Sequence, residues 1–156
     1  MNVEYLNPII KASTFVLQQS CNVTVSVGKP YLTQTTYEEE VFVVLLGITG
    51  QLHGQVLLVM DINVARKIAS NMMMGMPVNE LNDMAKSALG ELMNMMMGNA
   101  MTYFSQLDIL LDITPPTMFV SSELSLSVGN SRMVCIPIKF EDGTIELNVA
   151  IKENSK

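Results

Sequence analysis

About halfway along, this 156-residue chain begins its plan again. Each half runs helix, alternating strand, proline, strand and hairpin. In each, the proline stands three residues past the last branched apolar residue: Val27 to Pro30, then Ile113 to Pro116. The hairpin turns are Thr49-Gly50-Gln51 and Asp142-Gly143-Thr144, glycine supplying the positive φ such turns need. A repeated plan of this size predicts pseudo-twofold symmetry about a shared sheet, although few residues are identical between the halves. We expect an α/β (α+β) sandwich, one domain over residues 1–156. In it a largely antiparallel sheet has long helices packed on it.

Taken in order, Leu6, Ile9, Ile10, Ser13, Val16 and Leu17 follow the helical period and predict a helix over Val3–Gln19, with Asn2 as its cap. Cys21–Val27 then alternates as a strand, and Tyr31–Tyr37 reads as a second, Thr-rich one. Val41–Ile48 and Leu52–Met60 are apolar strands of a hairpin. Asp61 or Asn63 caps a short helix with Arg66 and Lys67 outside, ended by Gly75 and Pro77. A long helix spans Asn79–Leu107, capped by Asn79. Strands follow over Ile109–Ile113, Met118–Val128, Met133–Phe140 and Ile145–Ile151, with Gly129-Asn130 as a tight turn. The tail Lys152–Lys156 is polar and expected to fray.

Charge and composition close off several functions. A net charge of -6 argues against nucleic acid and against anionic membranes as partners. The longest apolar run, Val41–Ile48, is far too short to cross a bilayer. No basic-then-apolar leader opens the chain, so a cytoplasmic location is expected. Cys21 and Cys135 have no metal-type spacing and are read as buried or half-buried thiols. The single histidine, His53, lies in a strand with nothing nearby to orient it as a catalyst. The runs Met72-Met73-Met74 and Met95-Met96-Met97 have no Cys or His beside them, so core and adaptable interface are the expected roles, not metal ligation. No metal site is expected.

One row of polar residues stands out on the long helix. At 100° per residue, Ser87, Glu91 and Asn94 fall within about 60° of one another. Leu89, Leu92, Met93, Met96 and Ala100 make an apolar face opposite. The plainer reading is the wet side of a surface helix. Two details pull against it. Between Met84 and Phe104 the only charged residues are Lys86 and Glu91, and the row is bracketed by methionine and by Gly90 and Gly98. A glycine inside a helix costs about 1 kcal/mol relative to alanine, which fits a surface that something must approach closely. One carboxylate and one amide on a flat, nearly neutral surface suggest recognition of another protein. Counting back from each proline by equal distance pairs Asn94 with Pro8 and Glu91 with Tyr5, so only the second half carries the row.

Ser87, Glu91 and Asn94, followed after twenty-one residues by Pro116, resemble the signature of the CheC, CheX and FliY family of chemotaxis phosphatases. That signature places its proline one residue later, where Thr117 stands here. The opening Asn2–Pro8 and the strands after Pro116 are also similar to the family, so the resemblance spans essentially the whole chain. With one such row, the chain is nearest the CheX-like members. The resemblance implies a CheC-like fold and a phosphatase acting on the aspartyl phosphate of a CheY-type receiver domain. It implies Asn94 holding the attacking water and Glu91 pairing with the receiver's lysine. Ser87, Gly98 and Pro116 would border the contact. It implies no cofactor of the chain's own, Mg2+ in the receiver, and a homodimer. A non-catalytic adaptor of the same fold, binding a receiver or a flagellar-switch component, is the alternative. A small-molecule sensor with its pocket between the repeats would need convergent polar residues, which the sequence does not supply.

Overall fold

The computed structural model describes residues 3–32, 35–126 and 133–154. After a 3-10 turn over Val3–Tyr5 come α1 (Leu6–Cys21), β1 (Ser26–Val27), β2 (Tyr31–Leu32), β3 (Thr35–Tyr37), β4 (Val41–Gly50) and β5 (Leu52–Asp61). There follow α2 (Ile62–Met72), α3 (Asp83–Ser105), β6 (Leu111–Ile113), β7 (Thr117–Ser121), β8 (Leu124–Leu126), β9 (Val134–Phe140) and β10 (Gly143–Glu153). The expected turn at Gly129-Asn130, the cap at Asn2 and the last two residues of the tail lie outside the described residues.

Eight strands form one antiparallel sheet in the order β1-β9-β10-β5-β4-β6, with β2 also on β9 and β7 also on β4. The order reads the same from either end once β1–β5 are exchanged with β6–β10. That is the duplication expected from sequence, now with a register. Val27 opposite Ile138 matches Ile113 opposite Ile48, and Tyr31 opposite Cys135 matches Thr117 opposite Leu45. Even the loop bonds repeat: Gly28 N donates to Pro137 O at 2.8 Å and Thr114 N to Gly47 O at 3.0 Å. The self-paired ribbon of β3 with β8 lies on the axis.

The main core fills the space between the helices and one sheet face. Ile9, Leu17, Ile68, Leu89, Leu92, Met93 and Phe104 meet Phe42, Leu46, Leu58, Ile136 and Leu147, all fully buried. The opposite face buries Val41, Val43, Leu57 and Val59 beside Tyr37 and Leu124 of the β3–β8 ribbon. Both faces of β4 and β5 are thus covered along most of their length, which explains their near-continuous apolar runs.

Several expected boundaries move. The strand expected over Cys21–Val27 is paired only at Ser26–Val27: α1 runs on to Cys21 and Asn22 ends it in the left-handed conformation, φ 52°. Val23 and Val25 still pack against the core from the connection. The single strand expected over Tyr31–Tyr37 is two, on different sheets. The strand expected over Met118–Val128 is also divided, into β7 and β8. Asp61, not Asn63, caps α2 by accepting from Val64 N at 2.7 Å. Arg66 is half-buried, not outside, because its Nε donates to Val78 O at 2.9 Å.

Candidate functional site

The site helix starts three residues later than expected. Asn82, not Asn79, caps α3, its side chain accepting from Ala85 N at 2.9 Å, with Asp83 at the positive end of the helix dipole. All five residues assigned to the apolar face are fully buried. Burial of that face fixes the rotation of the helix, and the rotation sets the row outward: Ser87 and Glu91 are exposed and Asn94 half-exposed. Among the described residues, none of these three side chains makes a hydrogen bond or ion pair. Asn99 differs, since its amide is committed to Met95 O at 2.9 Å.

The two glycines of the row play different parts. A Cβ on Gly98 would meet nothing within 4 Å, so the helix surface there is open. Gly90 is buried, and a Cβ on it would lie 2.9 Å from Met118 Sδ and 3.7 Å from Pro116 Cγ. The close approach expected at Gly90 is therefore made by this chain's own β7, not by a partner. That contact brings Pro116 alongside the row. The connection carrying Pro116 is anchored by Thr114, whose Oγ1 accepts from Gly47 N at 2.7 Å. On the other flank Met95 meets Ser20 of α1, Oγ to Sδ 4.0 Å. Ser87, Glu91, Asn94, Gly98 and Pro116 thus share one surface, bounded by β7 and by the end of α1.

The first half was expected to lack such a row. The structure corrects the pairing behind that expectation. Buried Leu6, Ile9, Ser13 and Leu17 of α1 correspond to buried Met93, Met96, Ala100 and Phe104 of α3. That alignment is one residue longer than the one counted from the prolines, and it sets Asn7 on Asn94 and Glu4 on Glu91. Tyr5 and Pro8, the pairing given by the prolines, are buried. Tyr5 also donates its hydroxyl to Glu153 at the end of β10. The extra residue is absorbed where each helix joins its strand, at left-handed Asn22 and Asp108. Sequence alone held the signal: Glu4-Tyr5-Leu6-Asn7 repeats as Glu91-Leu92-Met93-Asn94.

Other chemistry is sparse. Among the described residues no group of three His, Cys, Asp or Glu side chains could hold a metal ion. His53 is exposed, with Nδ1 2.5 Å from Asn154 Oδ1. Both cysteines are buried and unpaired. Burial pushes the Cys21 thiol up to about 12. Burial, and then the bond from its Sγ to Glu146 Oε2 at 2.9 Å, pushes Cys135 up to about 12. Glu146 also accepts from Tyr37 OH at 3.0 Å, and Tyr37, half-buried beside it, is raised as well, desolvation being the main cause. These thiols are protonated at neutral pH and are poor nucleophiles. No helix among the described residues is long and apolar enough to cross a membrane.

A duplicated antiparallel sheet with its helices on one face, and an uncommitted acid–amide row on α3, describe a CheC-like protein. In fold the chain is similar to a CheC-like superfamily protein from Shewanella sp. PV-4, with TM-score 0.87 and 21% identity over 97% of this chain and 99% of that one. The model of the family described as chemotaxis phosphatase CheX matches residues 42–139, more than half of the sequence, and the chain belongs to that family. It is 28% identical to the CheY-P phosphatase CheX of Thermotoga maritima over 97% of this chain and 98% of that protein. It is also similar to a chain of the CheX–CheY–BeF3–Mg2+ complex of Borrelia burgdorferi, with 28% identity and TM-score 0.82 over 97% and 100% of the two chains.

Proposed function

We propose that this protein hydrolyses the aspartyl phosphate of a CheY-type receiver domain, using the row on α3. The observation that carries this reading is that Glu91 and Asn94, one turn apart on a helix whose other face is fully buried, make no side-chain bond among the described residues. It is joined by family membership and by the likeness to a CheX solved with CheY, BeF3 and Mg2+.

The chemistry asks little of this chain. The receiver would bring Mg2+ and a lysine to neutralise the phosphoryl oxygens, so what it lacks is a water held in line with phosphorus. An amide donates and accepts at once and does not titrate across the working pH, and Asn94 supplies one. The water oxygen forms a bond to phosphorus as the bond from phosphorus to the aspartate oxygen breaks. The carboxylate leaves as the anion, and the water's protons pass to phosphate and bulk water. Glu91 pairs with the receiver's lysine and fixes the angle of approach. Gly98 lets the two surfaces close, and Ser87 and Pro116 border them. A second copy of the chain could join through the sheet ends at β2 and β7.

The test is the decay of acyl phosphate on a cognate receiver with Mg2+ and catalytic amounts of protein. Wild type should speed decay, and Asn94→Ala should lose most of the acceleration while binding is retained. Glu91→Ala should weaken binding first. Wild type that binds the receiver and leaves its decay unchanged would replace this reading with the adaptor.

A further inference from the structure

Six methionines lie on α3, and five of them are turned inward: Met93, Met96 and Met97 are fully buried, and Met95 and Met101 are half-buried. Met84 is the sixth and is 62% exposed. The period of the helix sets it about 60° from Ser87, one turn on, and about 20° from Glu91, two turns on. It therefore stands at the head of the polar row, on the same face. Its neighbours at i+3 and i+4 are Ser87 and Ala88, too short to cover a methionine. The apolar exposure continues into the connection that enters α3, where Met76 is 55% exposed. Two bonds fix the path of that connection: Ser70 Oγ donates to Met76 O at 2.7 Å, and Arg66 Nε to Val78 O at 2.9 Å.

We propose that Met84 is the apolar anchor of receiver binding, seated against an apolar side chain at the rim of the receiver's acidic pocket. This rests on the reading of Glu91 and Asn94 given above. The row meets groups that receivers have in common, a carboxylate pocket, Mg2+ and a lysine, so by itself it separates one receiver from another poorly. A charged pair at such a contact also gives up much of its attraction to desolvation. Met84 lies about 10 Å of helix ahead of Glu91, beyond the pocket, where the receiver's outer surface begins. A flexible thioether chain adapts to the shape it meets there and is worth more buried than wet. A contact so far from phosphorus acts alike on the bound receiver and on the transition state. It therefore sets affinity and choice of receiver, not the rate of the bound complex.

The test uses the full chain with two readouts. Titration with a cognate receiver loaded with beryllofluoride and Mg2+ measures binding, and phosphate release from the phosphorylated receiver measures turnover. Met84→Gln keeps the length of the side chain and removes its apolar character. It should weaken binding and raise KM about tenfold, with kcat within about twofold and Tm unchanged. Met84→Leu should bring both back to near the wild-type values. Leu110→Gln makes the same kind of change at a residue 69% exposed past the far end of α3, about 30 Å of helix away, and should alter neither.

Met84→Gln with wild-type affinity and KM overturns the anchor, and so does a Leu110→Gln chain weakened as much. A Met84→Gln chain that keeps its receiver affinity but changes its sedimentation overturns it too, giving the side chain to a second copy of this protein. Wild type that binds the receiver without speeding its decay removes the role of Asn94, and the titration alone then decides Met84.

Discussion

The two halves of the molecule share a backbone plan and differ in what they do with it. In the strands the correspondence is register for register, down to the loop bonds made by Gly28 and Thr114. In the helices the buried positions correspond and the exposed ones diverge, with Lys11 against Gly98 and Phe15 against Thr102. Packing holds the inside of both halves to one solution, because a shift of one residue on a strand would turn its apolar set to solvent. The outer helix surfaces carry no such constraint, and there the halves part. The difference teaches where function can be asymmetric in a symmetric fold: on the helix faces, not in the sheet.

The sharpest break in the sheet symmetry is Gly54, whose mate is buried Ile145; they stand opposite Ile48 and Ile138 in the two hairpins. A Cβ on Gly54 would fall 1.8 Å from Ala150 O of β10, a backbone atom that cannot move alone. Gly54→Ala should cost about 3 kcal/mol in urea denaturation, near the upper end of overpacking effects. A loss under about 1 kcal/mol would mean that the join between the halves is looser than its register suggests. Next in size is Asn94→Ala, expected to lower receiver dephosphorylation about a hundredfold, near 2.7 kcal/mol. A loss under about threefold would mean that the row on α3 is not what sets the second half apart.

The sequence made the sheet legible for the same reason that the sheet is symmetric. Alternation and glycine turns mark the hairpins of β4–β5 and β9–β10, and the apolar face of α3 was readable from its period. So was the row of Ser87, Glu91 and Asn94, because burying Leu89 and Leu92 leaves only one way for it to face. The short strands were not legible. Val23 and Val25 alternate like a strand yet pair with no strand among the described residues, since Asn22 turns the chain before it reaches β9. The mate of the row was missed because the count began at the prolines, and the halves differ by one residue between helix and strand. Counting from Glu-Tyr-Leu-Asn and Glu-Leu-Met-Asn would have found it. Gly90 looked like part of an open surface because nothing in sequence says that Met118 folds back onto it.

A third difference lies on the sheet face away from the helices. Cys135 there has Leu45 as its mate and is tied to Glu146. Because the folded chain holds the Cys21 and Cys135 thiols protonated up to about 12, it keeps protons that the unfolded chain releases near 8.5 to 9. The stability this gives is complete below pH 8.5 and is lost as pH rises from about 9 toward 12. The slope is about 1.4 kcal/mol per pH unit for each group. Urea midpoints measured from pH 8 to 10 should fall accordingly, and Cys135→Ala should remove about half of the slope. An unchanged slope would mean that Cys135 is accessible to water and that its polar cluster does not set the second half apart.

The smallest expected effect decides most about the row itself. Gly98→Ala adds a Cβ into empty space and removes a helix-interior glycine, so it should stabilise the chain by about 1 kcal/mol. For a chain of this size that is roughly 2–4 °C in Tm. If the open surface at Gly98 exists for a partner to close on, the same methyl should weaken receiver binding severalfold, with stability and binding moving in opposite directions. Gly98→Lys, which copies Lys11 of the first half, should weaken it further. Should Gly98→Ala gain stability and leave receiver binding untouched, the glycine is not there for the partner.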